Sequence, residues 1–117
     1  MSTYRRLDVS DVGDVTVVRF RDQKIIEDVN IQELGHELFR LVEVDERGKI
    51  LLNFSNVDFT SSSMLGKLMT LDKKVKAHGG TLKLSNVCPK DRRAYAETKL
   101  DRLFEIHDDE IDALVAF

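Results

Sequence analysis

A chain of 117 residues, 42% hydrophobic and 33% charged, is one ordinary domain with enough apolar side chains for a core of its own. The net charge of −3 argues against nucleic acid, which selects a basic patch, and the single cysteine, Cys88, excludes an intrachain disulfide. No apolar run approaches the ~20 residues of a membrane-spanning helix and no signal-peptide core follows Arg6, so the expected location is the cytoplasm, with no membrane insertion.

Leu7 and Val9 alternate with Arg6, Asp8 and Ser10, the period of a half-buried strand within Tyr4–Ser10. Asp11-Val12-Gly13-Asp14 reads as a hairpin turn, with Gly13 free to take positive φ. Val15–Phe20 is the returning strand, and Arg21–Ile26 an irregular connector with an apolar anchor. From Val29 to Val44, apolar residues at Ile31, Leu34, Leu38, Leu41 and Val42 fall three and four apart. That spacing predicts a helix with one buried stripe, capped by Asp28 or Asn30. Glu33, Glu37, Arg40 and Glu43 are expected to face solvent, as is His36, and Gly48 to mark the break.

Ile50-Leu51-Leu52 with Phe54 is apolar at successive positions, as in a strand covered on both faces. It feeds a polar loop that ends in Ser61-Ser62-Ser63, where a second helix begins. Leu65, Leu68, Leu71 and Val75 form its buried stripe to about Ala77, with Met64 and Met69 alongside and Lys67, Lys73, Lys74 and Lys76 mostly outside. His78-Gly79-Gly80 closes it. Thr81–Leu84 is a short strand, and Pro89 suits the first turn of a helix over Lys90–Glu97. Leu100, Leu103, Phe104 and Ile106 anchor a turn and a last short strand. Then His107-Asp108-Asp109-Glu110 opens a terminal helix that turns Ile111, Leu114, Val115 and Phe117 inward.

Strands separated by helices require right-handed crossovers. The expected fold is α/β: a mixed, mostly parallel sheet of four to five strands with four helices, in one domain spanning residues 1–117. Sites in such sheets form at the carboxyl ends of strands, where the serine loop lies. Two readings of the serines stand side by side. They cap the helix, their oxygens taking unpaired N–H groups of its first turn. Alternatively, one of them is a regulatory phosphoacceptor at the positive end of the helix dipole. Catalysis is not expected. The chain has no phosphate loop, no dinucleotide fingerprint and no nucleophile elbow. His36, His78 and His107 stand in no arrangement that would activate a serine or Cys88, and neither a metal nor a cofactor is expected.

Val57–Leu68 resembles the signature of STAS domains, the anti-anti-sigma factors of bacterial regulation. Phe59 matches the family's aromatic residue, and Ser61 stands at its aspartate. Ser62 falls on the phosphorylated serine and Ser63 on the next hydroxyl. Met64 replaces the first glycine, and Leu65-Gly66 matches directly. His78–Leu82, Asn86–Pro89 and Leu103–Ile106 extend the likeness over nearly the whole chain. The resemblance implies a domain that captures an anti-sigma factor with serine kinase activity and releases it once Ser62 is phosphorylated. Thr60, Ser61, Ser63, Met64 and Lys67 are the expected partner contacts, and the domain is expected to be a monomer or weak dimer. Met64 is either an adaptable exposed contact or a core residue packed beside Leu68. Two further roles compete: an unphosphorylated STAS scaffold in a larger signalling or lipid-transport complex, and a sensor of an anion or nucleotide.

Overall fold

The computed structural model describes residues 4–25, 28–60, 62–97, 99 and 102–117. Strands β1 (Leu7–Val12) and β2 (Val15–Phe20) form an antiparallel hairpin, with Gly13 at φ 62° in its two-residue loop. There follow β3 (Lys24–Ile25), α1 (Asp28–Glu43), β4 (Lys49–Asn53), β5 (Phe59–Thr60) and α2 (Ser62–Ala77). The chain ends with β6 (Thr81–Ser85), α3 (Pro89–Glu97), β7 (Glu105–His107) and α4 (Glu110–Ala116). Five strands make one sheet in the order β1-β2-β4-β6-β7, parallel except at the β1 edge. This is the expected mixed sheet with four helices. The one addition is a separate two-stranded parallel ladder between β3 and β5.

Alternation along the strands sends the two faces to different cores. Val18, Phe20, Leu52 and Leu84 face α1 and α2, meeting Leu34, Leu38, Leu68 and Leu71 in the larger core. Val15, Val17 and Leu51 face the other way, against Ala113 of α4 with Leu114 and Phe117 beside it. α2 ends in a Schellman motif: Gly79 at φ 75° donates to Lys76 and Gly80 donates to Val75 at 2.9 Å.

Several expectations are corrected. Glu37 is buried rather than solvated, because its carboxylate accepts the backbone N–H groups of Arg5 (2.6 Å) and Arg6 (3.1 Å). The left-handed residue after α1 is Glu46 (φ 54°), not Gly48. Gly48 instead brings its carbonyl against Gly80 and accepts Thr81 N–H at 2.7 Å. On α4, Ile111 and Val115 are 72% and 81% exposed rather than inward; Leu114 and Phe117 face the sheet as expected, together with Ala113. The anchors expected at Ile26 and Leu100 lie outside the described residues.

Tyr4 is buried beside α1, with the Arg40 guanidinium 5.4 Å from its ring centre and its hydroxyl donating to Asp45. Burial first, and then the bond to Asp45, push the phenol up to about 12. A group raised above its unfolded value, near 10 for a phenol, lends stability that is complete below that value. The contribution disappears as pH climbs through the folded value. Stability is therefore expected to fall between about pH 10 and 12, with Tyr4→Phe removing that part of the fall. Denaturant melts across this range test it: equal slopes for the two proteins would refute the assignment.

Candidate partner-binding site

The serine turn is reached through a loop tied down on several sides. Phe54 leaves β4 buried, stacked on Phe20 with ring centres 4.7 Å apart, and its N–H bonds Ser85 O at 3.0 Å. Asn53 Oδ1 accepts Ser55 N–H at 2.8 Å, closing a local turn. Asn56 Nδ2 reaches the carbonyls of Phe20 and Arg21, both at 3.1 Å. Asp58 N–H bonds Gln23 O at 2.7 Å, and the Cys88 thiol meets Asp58 O at 3.4 Å. The β3–β5 ladder then pairs Lys24 with Phe59 and Ile25 with Thr60. The end of β2, the connector after it and the loop after β6 all grip the segment that delivers α2.

Ser62 and Ser63 stand exposed in the first turn of α2. That turn contains no acid, while Lys74 and Lys76 occupy the last one. Negative charge on either hydroxyl would meet the positive end of the helix without a competing carboxylate in that turn. Ser61 lies outside the described residues, and Thr60 is placed only by its backbone pairing. Met64 is wholly buried in the larger core, on the stripe Met64, Leu68, Leu71, Val75. Its side chain supports the turn from below; the reading of it as an exposed contact is corrected. Half-buried Leu65 sits beside this stripe, while Met69 is partly exposed.

Lys67 crosses from α2 to α1. Its Nζ donates to Gln32 Oε1 at 3.1 Å, and its stem passes over Gly35. A Cβ at position 35 would stand 2.9 Å from Lys67 Cδ. Gly35 is buried mid-helix, where glycine costs about 0.5–1 kcal/mol relative to alanine; here it admits the lysine. Lys74 makes a second crossing, over the Phe39 ring at 5.1 Å and onto the Glu43 carboxylate. Gln32 and Gly35 were not among the expected site residues, and the available signal was a lone glycine inside a helical pattern.

The opposite face of the same sheet edge is polar. Arg19, Asn53, Ser85 and His107 lie in one register row across β2, β4, β6 and β7. Glu110, first residue of α4, accepts from Arg19 at 2.5 Å and from Asn53 at 3.0 Å. Asp109 caps α4 by accepting Asp112 N–H at 2.8 Å. Lys83, and after it His107 at 2.7 Å, hold the Glu105 carboxyl below the usual carboxylate range. Among the described residues no group of three or more His, Cys, Asp or Glu side chains is placed to hold a metal ion, and no helix is long and apolar enough to cross a membrane.

The family model for the STAS domain matches residues 6–113. The chain belongs to the STAS domain family. Similar STAS structures include a candidate anti-sigma factor antagonist from Thermotoga maritima. It is 24% identical with a TM-score of 0.84, the match covering 97% of this chain and 95% of that one. An anti-sigma factor antagonist from Mycobacterium paratuberculosis is 26% identical, with a TM-score of 0.81 and coverage of 94% and 91%. The phosphorylated form of SpoIIAA, a cell fate determinant of Bacillus, is 17% identical, with a TM-score of 0.71 and coverage of 94% and 97%. In this STAS domain the stretch that resembles the family signature, Val57–Leu68, runs from the end of the gripped loop into α2.

Proposed function

We propose that this STAS domain is an anti-sigma factor antagonist of a bacterial cytoplasm, which captures an anti-sigma partner through its serine turn and lets it go when Ser62 is phosphorylated. The observation that carries the reading is the exposure of Ser62 and Ser63 on the first turn of α2, above buried Met64 and after a loop held by several hydrogen bonds. The similarity to anti-sigma factor antagonists, one of them a phosphorylated protein, supports it. Thr60, Ser61, Ser63 and Lys67 are the further partner contacts in this reading.

The partner, a serine kinase, supplies the chemistry. Ser62 Oγ bonds to the γ-phosphorus of ATP, the bond to ADP breaks, and the hydroxyl proton passes to a base of the kinase. The product carries about −1.5 to −2 charges at neutral pH in the middle of a contact surface. The fold has no need to open, because the first turn of α2 accommodates the charge.

Incubation of the intact chain with its kinase partner and ATP, followed by intact-mass and peptide analysis, is expected to show one phosphate on Ser62 and none on Ser62→Ala. An unmodified chain, together with partner binding indifferent to Ser62→Ala and Ser62→Glu, would refute the switch. A STAS scaffold that works without phosphorylation would then be the better description.

A further inference from the structure

We propose that the cleft between α1 and the segment before β1 is a second contact surface, which takes an acidic, extended stretch of the captured partner. The inference rests on the capture reading for the identity of that partner. Arg5, Gln32, Glu33, His36, Glu37 and Arg40 line a cleft of about 440 Å³. Its two acids are already engaged inside the domain. Glu37 accepts the backbone N–H groups of Arg5 and Arg6, at 2.6 and 3.1 Å. Glu33 accepts Arg6 Nε at 2.5 Å, a bond that holds its carboxyl below the usual range, with Arg5 adding a lesser attraction. Each group left over can donate. The Arg5 guanidinium and the His36 ring, both exposed, make no hydrogen bond or ion pair with a described residue. The Arg40 guanidinium lies over the Tyr4 ring. Gln32 gives its Oε1 to Lys67, which leaves its N–H groups for the cleft. A carboxylate only accepts, so it suits this set, whereas an ammonium finds both acids taken.

Spacing favours a chain over a single small anion. Gln32, His36 and Arg40 stand four apart and form one row along α1, with neighbours about 6 Å apart along the axis. In an extended segment, side chains two apart point the same way and lie about 6.6–6.8 Å apart. Acids at alternate positions therefore run along the row, one carboxylate to each donor. A phosphate-sized anion would meet only part of it. The row starts at Gln32, which Lys67 reaches from α2, so it continues the surface that begins at the serine turn. The domain as a whole carries a net charge of −3, and a locally positive cleft steers an acidic stretch to this place on it.

Two experiments separate this inference from the capture reading. In the first, the nitrogen-15-labelled full chain is titrated with a capped peptide of alternating glutamate and alanine, with its lysine–alanine counterpart, and with inorganic phosphate. The acidic peptide is expected to shift the amides of Arg5, Gln32, His36 and Arg40, and Arg5→Ala with His36→Ala to weaken it about tenfold. The lysine peptide leaves them in place. No shift with the acidic peptide, or the same shifts with phosphate, overturns the proposal. In the second, capture of the anti-sigma partner is measured for Ser62→Glu and for Arg5→Glu with His36→Glu. The double variant is expected to weaken capture about tenfold, chiefly by slowing association, and to flatten its salt dependence. A thermal melt checks that the two exposed substitutions leave the fold intact. Capture that ignores the double variant but is lost in Ser62→Glu overturns the cleft's role and leaves the serine turn standing. Should the domain capture no anti-sigma partner, the capture reading falls, and with it the identity of the partner assigned to the cleft.

Discussion

Gly80→Ala is expected to cost the domain about 1–3 kcal/mol, although it adds one methyl group. Gly80 is the third residue after α2 and closes the Schellman motif, its N–H bonded to Val75 O at 2.9 Å. A Cβ there would fall far inside contact distance of the Gly48 carbonyl oxygen and 3.0 Å from Val75 Cγ1. That oxygen cannot step aside, because it accepts Thr81 N–H at 2.7 Å where β4 and β6 begin to pair. Relief requires movement of the entry to both central strands. Urea unfolding should show a lower midpoint with an unchanged slope, and an unchanged midpoint would mean that the backbone yields freely.

Ser62→Glu is expected to weaken capture of an anti-sigma partner more than a hundredfold, about 3 kcal/mol, without loss of fold. The side chain is exposed, so the charge displaces no core atom. The first turn of α2 carries no acid to repel it. The penalty falls on the complex, which must bury or oppose a charge where it had a neutral hydroxyl. Titration calorimetry against the partner, beside a thermal melt of the free domain, separates the two effects. Ser62→Ala should keep affinity. Equal affinity for Ser62→Glu would take Ser62 out of the contact.

The layered fold was legible because its long elements repeat a simple period. Ile31, Leu34, Leu38, Leu41 and Val42 mark one face of α1, and the β-branched run of β2 has no helical rival. What escaped was decided by partners distant in sequence. β3 and β5 are two residues each, too short for any period, and exist because each supplies the other's ladder. Glu37 falls outside the apolar stripe of α1, yet two backbone N–H groups from the start of the chain arrive to meet it. The four apolar residues read as inward on α4 leave its rotation open; Glu110, bonded to Arg19 and Asn53, sets it and turns Ile111 and Val115 outward. At the site, the helix start and its hydroxyls were readable from the serines alone. The burial of Met64 follows from its place four before Leu68, and the passage of Lys67 over Gly35 needed both helices in position.

The unequal covers of the two sheet faces have a consequence for how the domain breathes. α1 and α2 share one broad apolar interior with the strands, whereas seven-residue α4 rests on a small cluster and on the ionic grip of Glu110. Added electrolyte screens that grip and leaves the broad interior untouched. Peeling of the last helix is therefore a local opening that leaves the serine turn folded on the far side.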